Sequence, residues 1–114
     1  MEIFKSKFQA IFFDKENNVE KQVWQDTTDM TEEDFKREVM ENAGCLEKFG
    51  AANHLSDIRK YNFAVVPELQ TWTAENFFPK LINAGVKKYA LIMNTVVMSI
   101  SADHVSESVI STRS

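Results

Sequence analysis

Hydrophobic and polar positions along the chain change period several times, and each change marks an element. "KFQAIFFD" (Lys7 to Asp14) is dense in aromatic and branched residues and predicts a strand. "KENN" (Lys15 to Asn18) is a turn signal, because asparagine tolerates left-handed backbone. "VEKQVWQD" (Val19 to Asp26) alternates in part through Val19, Val23 and Trp24, and predicts the second arm of an N-terminal hairpin. The period then becomes helical. Phe35, Val39, Leu46 and Phe49 share a stripe interrupted by Asn42. Thr31 is placed to cap this helix, Glu32, Glu33 and Asp34 suit its first turn, and Gly50 suits its end. Gly44 predicts a bend in its middle.

"AANHLSDI" (Ala51 to Ile58) reads as a shorter strand and "RKYNFAVV" (Arg59 to Val66) as a connection. Pro67 suits a helix first turn, and that helix is expected to run to about Ala84, with Gly85 as its stop. "KKYALIMN" (Lys87 to Asn94) is the clearest buried strand, and a short final helix is expected from about Ser101. The predicted order is β-β-α-β-α-β-α. Strand, helix and strand in succession imply parallel pairing with a right-handed crossover, so the fold class is α/β: a small mixed sheet packed by helices.

The Pro67 helix contains an internal inconsistency. With Phe78 set at zero and 100° per residue, Ala74, Leu81, Ile82 and Gly85 lie within about 60°, Phe77 lies about 100° away, Trp72 about 120° and Leu69 about 180°. Pro79 cannot donate to the carbonyl of Glu75, so a kink is expected that rotates the front of the helix relative to the rest. Leu69 and Trp72 form a second apolar patch, either covering the protein's own loop or facing a partner.

Composition narrows the setting. The 114 residues suit one domain, residues 1–114, with an ordinary balance of 44% hydrophobic and 26% charged residues. A net charge of −4 argues against a nucleic-acid backbone as partner. One cysteine, Cys45, allows no internal disulfide and suits a reducing compartment. No signal-peptide pattern or membrane-length apolar run is present, so a cytoplasmic protein without a membrane span is expected.

Candidate chemistry is sparse. No HExxH, CxxC, GxSxG or Gly-rich phosphate loop occurs, so no metal, no cofactor and no enzymatic activity are expected. His54 and His104 are isolated in sequence, Cys45 reads as a packed thiol, and Asp14 and Asp26 read as turn residues. Asp57 and Arg59 end a strand and point to one side if extended. With Glu68, Trp72, Asn94 and Thr95 they are placed to converge on the rim where the parallel strands end, which is where open α/β sheets bind ligands. The plainer alternative is an Asp57–Arg59 pair that fixes the following loop, with Asn94 or Thr95 capping a turn.

A hairpin ending at Trp24, then "MTEEDFKREV", then "SDIR", then "VVPELQTWTAENFFPKLINAGVKKYALIM" resembles small bacterial proteins with a fold like the anti-sigma-factor antagonist (STAS) domain. The resemblance implies a mixed sheet with helices on one face, and regulation through partner proteins. Some members are switched by phosphorylation of a serine at a helix start. The matching stretch here is "VVPE" (Val65 to Glu68), which has no hydroxyl, so the switch is absent at that position.

The leading expectation is a non-enzymatic binding or regulatory module, a homodimer or a binder of another protein, with Leu69 and Trp72 on the interaction surface and Asp57 and Arg59 ordering the adjoining loop. The alternative is a carrier or sensor of an apolar small molecule or lipid, with a rim pocket walled by Trp72, Phe78, Met93 and Met98.

Overall fold

The computed structural model describes the backbone of residues 1–93 and 96–101, and side chains through Met93. Six strands form one sheet: β1 (Glu2–Lys5), β2 (Gln9–Asp14), β3 (Val19–Trp24), β4 (Asn53–Asp57), β5 (Lys88–Met93) and β6 (Val96–Ser101). Their order across the sheet is their order in the chain. β1–β2, β2–β3 and β5–β6 pair antiparallel, while β3–β4 and β4–β5 pair parallel. The helices are α1 (Glu32–Phe49), α2 (Pro67–Asn76) and α3 (Phe78–Asn83).

Both parallel connections step the same way across the sheet. Crossovers of one hand that step one way place their helices on one face. Accordingly α1, α2 and α3 share a single core with Phe8, Trp24, Tyr89 and Leu91 of the sheet side. Among the described residues, the opposite face carries no helix.

The small mixed α/β domain and both parallel pairings match the expectation. The caps of α1 do too. Thr31 accepts from the Asp34 amide and Asp34 accepts from the Thr31 amide, a reciprocal capping box, and Gly50 closes the helix at φ 72°. Asn18 takes the left-handed conformation in the hairpin turn, at φ 57°.

Four points of the expected order are refined by the structure. First, β1 pairs outside the predicted hairpin; its bulge between Glu2 and Phe4 breaks the alternation that would have marked it. Second, α1 continues without a break through Gly44, the position of the expected bend, which lies on its exposed side. Third, the Pro67 helix is two helices. Pro79 sits in the first turn of α3, where its missing N–H is harmless, and the chain turns at Phe77. A single-axis reading therefore misplaces residues on either side. Leu69 is a core residue at 2% exposure, not part of a surface patch, and Ile82 is 53% exposed, not core. Fourth, the chain continues after β5 into β6, and Ser101 ends that strand. The expected final helix, with His104, lies in residues 102–114, outside the described residues, as do Asn94 and Thr95.

Candidate functional site

The predicted rim cluster is divided by the sheet. Asp57 pairs across to Val23 and Ile92, on the helix-free face. Arg59 grips it with two guanidinium bonds, Nε to Oδ1 at 2.9 Å and Nη2 to Oδ2 at 2.6 Å, and its amide also donates to Oδ1. The guanidinium holds the Asp57 carboxyl below its ordinary range and the carboxylate raises the Arg59 pKa. This pair fixes the start of the connection from β4 to α2. Glu68 is exposed in the first turn of α2, Leu69 is buried, and Trp72 is half-buried with the Lys36 ammonium 5.3 Å over its ring. Trp72 thus ties α2 to α1 through a cation–π contact.

The strand patterns hid the most polar part of the interior. On β3 the inward residues are Glu20, Gln22 and Trp24, while Val19 and Val23 point to the helix-free face. β4 turns His54 and Ser56 inward, and α1 adds Glu38 and Asn42. Two networks satisfy them. In the first, Ser56 donates to Gln22 (3.0 Å), Gln22 donates to Gln9 (2.7 Å), and Gln9 donates to the Glu38 carboxylate (2.9 Å) and carbonyl (2.7 Å). Ser6 and Arg37 also donate to that carboxylate. In the second, the His54 Nδ1–H donates to Glu20 (2.8 Å), and the Asn42 amide, with its nitrogen toward Glu20, donates to both carboxylate oxygens. His54 Nε2 is buried with no hydrogen-bond partner among the described residues, and the ring packs on Tyr89 with centroids 4.7 Å apart.

Sequence reasoning missed this set. The available signals were Asn42 breaking the apolar stripe of α1, with Glu38 one turn before it, and Glu20, Gln22 and Trp24 at alternate positions. Burial first, then the charges of Glu20 and Glu41, push the Cys45 thiol up to about 11, which disfavours the thiolate that nucleophilic chemistry needs. Among the described residues, no group of three His, Cys, Asp or Glu side chains is disposed to hold a metal ion, and no helix is long and apolar enough to cross a membrane.

A small cavity of about 40 Å³ lies where β3 and β4 end, under the helices. Gln22, Ser56 and Thr73 give it hydrogen-bonding side chains, and aromatic rings form most of the remaining wall. Met93 is exposed and Trp72 does not line it, so of the expected pocket only Phe78 is present among the described side chains. Residues 58–66 form a strap beside it, with Tyr61, Phe63 and Val65 inward at alternate positions. The strap is latched by Asn62. Its side-chain oxygen accepts from the Thr27 amide and hydroxyl, its amide N–H donates to Thr27, and its side-chain nitrogen donates to Thr28.

The helix-free face is different in character. Register and alternation place Ala10, Phe12, Val19, Val23, Leu55, Ala90 and Ile92 on it. Lys21 stands among them, between Phe12 and Leu55, and Lys88 stands at one end. The carboxylates Glu2 and Asp14 are confined to the β1–β2 margin, and the charge of Asp57 is taken by Arg59. Comparison of the chain with protein-family profiles, with curated proteins and with solved structures finds no match.

Proposed function

We propose that this chain is a non-enzymatic protein-binding module of the kind the STAS resemblance implies, and that its partner surface is the helix-free face of the sheet. The observation that carries the reading is the apolar set Phe12, Val19, Val23, Leu55, Ala90 and Ile92, on which no described helix packs. These residues are half-buried rather than covered, and a contiguous apolar face without a helix on it supports an interaction site. Its charge selects the occupant. The chain carries −4 overall, yet the middle of this face holds Lys21 and one end holds Lys88. Two copies placed face to face would bring these lysines together. An acidic amphipathic helix from another protein instead completes a helix–sheet–helix sandwich and meets the lysines with carboxylates.

The test uses two synthetic amphipathic peptides with the same leucine stripe, one with glutamates on its polar face and one with lysines. Calorimetry should show binding of the glutamate peptide to the full chain, reversed by Lys21→Glu and weakened by Leu55→Ser. Equal binding of both peptides would overturn the charge assignment. A dimer in light scattering that Leu55→Ser dissociates would give the face to a second copy. Loss of protection at Leu55 on deleting residues 102–114 would give it to the chain's own end.

A further inference from the structure

We infer that the strap of residues 58–66 covers a binding slot for a planar aromatic ring bearing a hydroxyl group, and that the strap's own rings hold the slot when no ligand is present. This slot lies on the helix side of the sheet, so it stands independently of the partner surface.

Polar side chains face the cavity. Gln22, Ser56 and Thr73 are each at least nine-tenths buried and lie in its wall. Gln22 uses one amide hydrogen on Gln9 and accepts from Ser56, which leaves a second amide hydrogen. Ser56 and Thr73 each donate their hydroxyl hydrogen, to Gln22 and to the Leu69 carbonyl, and both retain acceptor lone pairs. This edge can both give and receive a hydrogen bond. A purely apolar filling would leave it unmet, at a cost for each buried polar atom.

The walls are flat. Trp24 and Phe35 lie nearly parallel, at 7° with centroids 6.5 Å apart. Tyr61 of the strap meets Trp24 edge-on at 5.2 Å, and Phe63 stacks on Phe35 at 5.6 Å. The strap therefore lays two rings of its own against the two fixed rings of the body. Rings against rings is the packing that a planar ligand would reproduce. The cavity of about 40 Å³ has room for water only; a benzene-sized ligand needs roughly 150 Å³. A ring-sized ligand therefore needs the space that Tyr61, the strap residue in its wall, now fills. The strap has no helix or strand of its own, and on the α1 side it is held by Asn62 on Thr27 and Thr28. Opening it lifts Tyr61 and Phe63 off Trp24 and Phe35 and releases Asn62, but breaks no strand pairing of the sheet.

Phenol is the probe, with toluene as its isostere lacking the hydroxyl. Trp24 emission is followed in a Trp72→Phe background. Phenol should give a saturable change, and toluene should bind about tenfold more weakly for want of the polar contact. Asn62→Ala, which frees the strap, should tighten phenol about tenfold by raising the open population. Ser56→Ala should remove most of the preference for phenol. If Asn62→Ala does not fold by circular dichroism, Thr27→Val opens the same latch from the other side. Equal binding of phenol and toluene would overturn the polar edge. No saturable response in the folded wild type and latch variants would overturn the slot itself.

Discussion

Each face of this sheet carries residues of the kind usually found on the other. The face under the helices holds Glu20, Gln22, His54 and Ser56 among the core residues Ile11, Trp24, Tyr89 and Leu91, with Gln9 beside them and Glu38 and Asn42 above. The face without helices holds Phe12, Val19, Val23, Leu55, Ala90 and Ile92. An antiparallel or mixed sheet covered on one side ordinarily puts apolar residues inward and polar ones outward. Under the helices, stability depends on a few polar groups whose partners are fixed, because a buried charge that loses its partner is expensive. On the open face Phe12, Val19, Val23, Leu55, Ala90 and Ile92 are half-buried, and no described helix packs on them.

The comparison is broken most severely at Glu20. Glu20→Ala should destabilise the fold by about 3–5 kcal/mol in urea melts, because His54 and Asn42 lose their common acceptor inside the core. The triple replacement Glu20→Leu, His54→Phe, Asn42→Leu removes donors and acceptor together and should recover most of that loss. A triple variant no better than Glu20→Ala would mean that volume, not pairing, governs this layer. Next is Asn62→Ala, which should cost about 1–2 kcal/mol by the same measurement through its bonds to Thr27 and Thr28.

Acid sensitivity gives a smaller and signed effect. The folded pKa of Asp57 is depressed, first by the side-chain bonds from Arg59. The stabilisation is therefore complete above the ordinary aspartate value and is lost as pH falls through the lower, folded value. Arg59→Met should narrow the gap between wild-type stability at neutral and acid pH, measured as the melting temperature from pH 7 downward. The smallest effect belongs to the open face. Leu55→Thr should change stability by no more than about 0.5 kcal/mol while weakening binding of the acidic peptide. A loss of several kcal/mol would mean that this face is already packed in the isolated chain.

Much of the fold was legible because local chemistry decides it. Thr31 with Asp34, Gly50 and Asn18 each do in the structure what their types permit, and the crossover rule carries the parallel pairings from element order alone. The α2–α3 break was half legible. Pro79 announced an interruption, but a proline two residues into a new helix and a proline kinking an old one look alike in sequence. Only the turn at Phe77 reconciles buried Leu69 with exposed Ile82. The polar interior was the least legible. Periodicity assigns faces by hydrophobicity, and on β3 the valines hold the phase opposite to Trp24. Their rule and Trp24's conflict, and the partners that decide it, Gln9, Asn42 and His54, lie on other elements. Of the predicted site, the Asp57–Arg59 pair was readable from its spacing, while the separation of Asp57 from Glu68 and Trp72 by the sheet was not.

The strand order bears on how the chain acquires its structure. Because β1 to β6 lie side by side in the order of synthesis, each strand finds its neighbour already made as it leaves the ribosome. No early strand waits for a late one to be inserted between it and its neighbour, as sheets of shuffled order require. The antiparallel pairs β1–β2 and β2–β3 are local in sequence and form fast, whereas the parallel pairs β3–β4 and β4–β5 each wait for a helix to be made between their strands. The strand order also means that a chain halted after β5 would already hold both parallel pairs together with α1, α2 and α3. The domain can thus assemble like a zipper from its amino end, with the growing edge of the sheet always the newest strand.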